Sequence, residues 1–86
     1  MKKPTQHGRL AAQMDDARYC LADLAQRGLR ISSVEIGQLK HKPRIRLDAP
    51  WEEPGGLAGG MIFTNPAITR YATDLHHCQV EWEVPA

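Results

Sequence analysis

The hydrophobic period of this chain changes at Gly28, and that change sets the class of fold. Before it, Leu10, Ala11, Met14, Ala17, Leu21, Leu24 and Ala25 recur at i, i+3, i+4 and i+7 over residues 9–27. That spacing gathers apolar side chains on one stripe of a helix. Gln13, Asp16, Asp23, Gln26 and Arg27 lie largely off the stripe. Asp23 precedes Arg27 by four residues, the favourable order for an ion pair along a helix. Thr5 or His7 supplies a start. Gly28 suits the position just past the end, because glycine takes the left-handed cap without a Cβ penalty.

After Gly28 the period becomes two. Leu29 and Ile31 share one parity, Val34 and Ile36 the other, and the alternation slips at Ser32-Ser33. The reading is a link through Leu29 and Ile31 and a first strand over 34–38, with a bulge at the serine pair as the other solution. Residues 37–42 make a polar turn. Pro43 then opens a cleanly alternating second strand over 44–48, completing a hairpin. Residues 49–60 hold two prolines and four glycines, which predicts a long loop, functional or disordered. Met61-Ile62-Phe63 is a short apolar return to the core. Asn65-Pro66 reads as an N-cap followed by proline at the first helical position, with a brief helix to about Tyr71. In 78–84, Cys78, Val80, Trp82 and Val84 take one face of a strand and Gln79, Glu81 and Glu83 the other.

The sum is a single α+β domain over 1–86: an N-terminal amphipathic helix on a three-stranded antiparallel sheet, with a Gly/Pro-rich loop. Its expected core sets Val34, Ile36, Ile45, Leu47, Val80 and Trp82 against Leu10, Met14, Leu21 and Leu24. Eighty-six residues allow little more than one helix on one sheet. A second copy would add buried area, although nothing in the composition demands a homodimer. No apolar run reaches the ~20 residues of a membrane span, and the basic N-terminus lacks the apolar stretch of a signal peptide. A cytoplasmic protein with Cys20 and Cys78 reduced is the expectation; a Cys20–Cys78 disulfide is the alternative in an oxidising compartment, although spacing alone does not place the two within bonding range.

Net charge is +1 but unevenly placed. Residues 1–47 hold ten Lys/Arg against four acids, and residues 48–86 hold Arg70 against six acids. Such asymmetry means either a basic binding face or two oppositely charged halves that fold onto each other. Lys40, Lys42, Arg44 and Arg46 alternate, so an extended strand would present them as a comb about 6.6–7 Å apart, able to follow a nucleic-acid backbone. Pairing of Arg44 and Arg46 with Glu81 and Glu83 across neighbouring strands is the favoured alternative.

Other chemistry is weakly signalled. His76, His77 and Cys78 with Cys20 and His41 form only one local cluster, where structural zinc usually needs two close pairs. A Cys–His nucleophile lacks an orienting acid at any recognisable spacing. The glycines of 55–60 are followed by Met61-Ile62 rather than Lys-Ser/Thr, so they are no phosphate-binding loop. Trp51, between Pro50 and Glu52-Glu53, is either an interface anchor or a cover for the open end of the sheet.

The helix ending at Gly28, the strand around Val34-Glu35-Ile36 and the run Pro43-Arg44-Ile45-Arg46-Leu47 resemble small proteins of bacteriophages and mobile elements, including anti-CRISPR inhibitors of host defence. The likeness covers about half the chain. It implies a host-cytoplasmic protein that blocks a host protein or complex by contact, and it assigns no functional residue. The expectation is a non-enzymatic interaction protein with no metal or cofactor and no membrane. Its contact surface comprises Lys40, Lys42, Arg44, Arg46, Trp51, Glu52 and Glu53. A small nucleic-acid-binding accessory protein using the same basic residues is the alternative.

Overall fold

The computed structural model describes residues 6–37 and 42–86. The fold is α+β: one N-terminal helix, α1 (Gln6–Gln26), and a five-stranded mixed sheet. The strands are β1 (Ile31–Glu35), β2 (Arg44–Leu47), β3 (Gly60–Thr64), β4 (Ile68–Leu75) and β5 (Cys78–Pro85), in the spatial order β1-β2-β5-β4-β3. The expected three-stranded antiparallel sheet is therefore corrected on two counts. It has two further strands, and β2 runs parallel to β5, with Arg44, Ile45 and Arg46 opposite Gln79, Val80 and Glu81. The other pairs are antiparallel.

The helix ends as its sequence directs. Gly28 has φ +76°; its N–H bonds to the Ala25 carbonyl at 3.0 Å, and the Leu29 N–H reaches back to the Leu24 carbonyl at 3.1 Å. These two bonds are the Schellman pattern, and Leu24 and Leu29 supply the apolar contact that accompanies it, both lying in one buried cluster. The Asp23–Arg27 pair forms at 2.8 Å, and Arg27 Nη1 also donates to the Gly55 carbonyl at 2.9 Å, tying the helix end to the loop.

Only the C-terminal half of the stripe is covered. Ala17, Cys20 and Leu24 are buried, and Cys20 and Leu24 share one cluster with Ile45, Leu47, Cys78, Val80 and Trp82, against which a partly buried Leu21 packs. Leu10 and Met14, expected in the core, are exposed, Met14 at 57%. The first turns are tied by a polar contact instead, the Gly37 N–H donating to Gln13 Oε1 at 2.9 Å. Val34 and Ile36 are also exposed. The first strand occupies 31–35 rather than 34–38, and the register slips between Ile31 and Ser33, so the bulge at the serine pair is the solution adopted. Val34 then lies on a sheet edge. Gln38 to His41, including most of the predicted turn and Lys40, fall outside the described residues.

The second half differs more. Asn65 does cap, but it caps a turn: its Oδ1 accepts the Ala67 and Ile68 N–H groups, both at 2.8 Å, and its own N–H donates to the Ile68 carbonyl. The chain then continues as β4, where a helix to Tyr71 was expected. Met61, Ile62 and Phe63 form the other sheet edge and are exposed, instead of returning to the core. Between β4 and β5, His76 and His77 take φ values of 48° and 60° in a two-residue turn, the handedness that joins twisted strands without splaying them.

The glycine-rich connection is built into the molecule. Ala49, Pro54 and Leu57 are buried, and the Trp82 indole N–H donates to the Glu52 carbonyl at 3.2 Å. Gly59 passes so close to Trp82 that a Cβ there would lie 2.6 Å from the ring. Trp82 also stacks on Tyr71, ring centroids 6.0 Å apart. The loop thus covers the part of the core face that α1 leaves open.

Candidate functional site

Strand parity places Ser33, Glu35, Arg44, Arg46, Gln79, Glu81, Glu83, Arg70, Asp74 and Phe63 on the sheet face opposite α1. No element of the described chain crosses this face. Yet Glu81, expected to point outward into water, is only 2% exposed. Its cover comes from its own neighbours. Arg44 Nε donates to Oε2 at 3.1 Å and Nη2 to Oε1 at 3.3 Å, a two-pronged guanidinium–carboxylate pair. Arg44 Nη1 also lies 3.8 Å from Glu35. On the far side Arg70 pairs with Glu83 at 2.6 Å while its guanidinium stands 5.4 Å over the Phe63 ring.

The predicted basic comb is thereby divided. Lys42 is paired with Asp74 at 3.1 Å and Arg44 with Glu81. Arg46 is exposed and enters no ion pair among the described residues, although Glu81 stands opposite it in register. The neutralised arrangement holds for Arg44, with Glu81 its partner. Arg46 is not neutralised in the same way, because Glu81 is taken by Arg44 and Glu83 by Arg70.

Arg46 lines a shallow cavity of about 270 Å³ with Ser32, Pro50, Arg70, Glu81 and Glu83. The chain leaves β2 here, so the loop residues predicted as contacts stand at its rim. Trp51 is 49% exposed, and the backbone is held on both sides of it: the Asp48 N–H donates to the Arg30 carbonyl at 3.0 Å and Ala49 is buried, while the Glu52 carbonyl accepts from Trp82. The side chains of Glu52 and Glu53 face solvent. Of the predicted contact residues, Lys40 lies outside the described residues, Lys42 and Arg44 are paired within the fold, and Arg46, Trp51, Glu52 and Glu53 are exposed and enter no ion pair among the described residues. The cavity is not legible in the sequence, because it needs the end of β2 beside β5, and its Arg70 comes from a segment whose sequence reads as a helix.

A second cluster lies at the other end of β5. His76 Nε2 is 2.9 Å from Asp23 Oδ2, which supplies the orienting acid that sequence spacing did not reveal. The bonds from Arg27 and then His76 hold the Asp23 carboxyl below the usual aspartate range. In the closed fold the cysteines nearby are unsuited to nucleophilic work. Both are fully buried, and burial, reinforced by Cys78, pushes the Cys20 thiol up to about 12; burial raises Cys78 as well. A nucleophile needs the opposite shift. Among the described residues no three His, Cys, Asp or Glu side chains gather where they could hold a metal ion, and no helix is long and apolar enough to cross a membrane.

Comparison of the chain with protein-family models, with curated proteins and with solved structures finds no match.

Proposed function

We propose that the chain is a non-enzymatic protein-binding module whose contact surface is the rim of the open sheet face, with Trp51 as apolar anchor and Arg46 as directing charge. The observation that carries this reading is the internal consumption of the basic comb: Lys42 and Arg44 answer Asp74 and Glu81, so a phosphate backbone would have to compete with carboxylates of the same fold. Trp51, by contrast, stands half exposed on backbone anchored on either side, and a held aromatic loses little freedom on binding. Blocking of a host protein by contact, the mode implied by the likeness to mobile-element inhibitors, is a use to which such a surface is suited.

The test pairs two measurements. Capture of a protein from host-cell lysate should be lost with Trp51→Ala and only weakened with Arg46→Ala, because a buried aromatic anchor outweighs a rim charge. Duplex DNA binding should be weak, with a slope of log K against log salt near −0.9, as for one phosphate contact, rather than about −3.6 for four. Tight, steeply salt-dependent duplex binding that survives Trp51→Ala would replace this reading with the nucleic-acid accessory protein.

A further inference from the structure

Cys20 and Cys78 are remote in sequence, yet both are fully buried in the same core cluster, where α1 packs on β5. A second contact fixes the same alignment independently. Asp23, three residues beyond Cys20 on the helix, meets His76, two residues before Cys78, at 2.9 Å. The helix turn and the start of β5 are therefore held together at two neighbouring points. Both thiols are free.

We propose that Cys20 and Cys78 form a latent disulfide, closed by thiol–disulfide exchange with a small-molecule disulfide of the oxidised-glutathione type, which locks α1 onto β5. In the first step a Cys78 thiolate attacks one sulfur of the oxidant, forming a mixed disulfide and releasing one glutathione thiolate. Cys20 loses its proton and attacks the Cys78 sulfur, forming the Cys20–Cys78 bond and releasing the second glutathione thiolate. The cysteine pair gives up two electrons and two protons, and the oxidant ends as two glutathione thiols. In the closed fold neither thiol meets solvent, so exchange takes place when the helix lifts from the sheet or while the chain folds. Leu10 and Met14 are exposed, so apolar burial holds α1 only from Ala17 onward.

The lock closes a loop of about 60 residues, a length at which a cross-link restricts the unfolded chain strongly; the oxidised chain should melt on the order of 10 °C or more above the reduced one. The experiment equilibrates the full wild-type chain in buffers of rising oxidised-to-reduced glutathione ratio, alkylates residual thiols, and reads mass, linked peptides and Tm. Expected are a monomer lighter by two hydrogens, one peptide pair joined through Cys20 and Cys78, the higher Tm, and oxidation several times faster in Leu24→Ala, which loosens the helix. Glutathione adducts alone, dimers cross-linked between chains, failure to oxidise even on refolding, or a linked monomer that melts lower than the reduced chain would each overturn the proposal. The comparison needs no cysteine variant, so it does not depend on one folding.

Discussion

Replacing Arg44 by methionine leaves the Glu81 carboxylate buried without its guanidinium. In the native chain Glu81 is 2% exposed and receives both prongs of Arg44, whereas the Arg44 side chain is itself 39% exposed. The two partners are therefore not equivalent. Removing one member of a fully buried pair costs about 3–5 kcal/mol because the other charge is stranded. Here the stranded group lies on a sheet face that water reaches once Arg44 is shortened, which lowers the expected cost of Arg44→Met to about 2–3 kcal/mol. Glu81→Gln strands a guanidinium that is already well solvated and keeps Glu35 at 3.8 Å, so it should cost only about 1 kcal/mol. Urea unfolding at pH 7 measures both. Equal costs for the two variants would show that Glu81 does not depend on Arg44.

Leu24→Ala should cost roughly 2–5 kcal/mol, as for a packed core leucine, whereas Met14→Ala on the same stripe should cost under about half a kcal/mol, because only the former is buried; denaturant midpoints of the two variants check this. His77→Gly should raise stability by about 0.5–1 kcal/mol in thermal unfolding, since φ +60° strains a residue bearing a Cβ. The reduced chain should lose stability as pH rises from about 9 toward 12: both thiol pKa values are raised by folding, so the unfolded chain releases protons first and is favoured there. A Cys20→Ala/Cys78→Ala chain should show a shallower alkaline slope in the same denaturation series.

The features legible in the sequence are those set by near neighbours. The helix stripe, its Gly28 end, the β1–β2 hairpin and the alternation of β5 all arise from short-range periodicity. The burial of that stripe was not legible, because periodicity says which face of a helix is apolar and nothing of how far the surface beneath extends. Asn65-Pro66 misled for a definite reason. An asparagine oxygen accepting N–H groups two and three residues on serves a helix start and a tight turn alike, and only the strand pairing of residues 68–75 separates the two. The hairpin at His76-His77 was hidden because its turn lacks the glycine or asparagine that usually marks it. Glu81 has the outward parity of a solvent-facing residue, and only the arginine of another strand makes it a buried one. The cavity beside Arg46 required the parallel β2–β5 contact, and no local pattern encodes a pairing between strands so distant in the chain.

The parallel β2–β5 pair also divides the molecule in time. On one side of it lie α1, β1 and β2; on the other lie β3, β4 and β5, joined to one another by short antiparallel turns. Each side can form its hairpins locally and fast, while joining them must wait for closure of the long connection between β2 and β5. The side carrying residues 1–47 holds a charge of +6 and the rest −5, counted over the sequence, so the two sides attract each other before they touch. Salt screens that attraction across a Debye length of about 10 Å at 0.1 M. The folding rate of this chain should therefore fall with ionic strength more than its unfolding rate rises, a kinetic signature of two opposite charges meeting along a single seam.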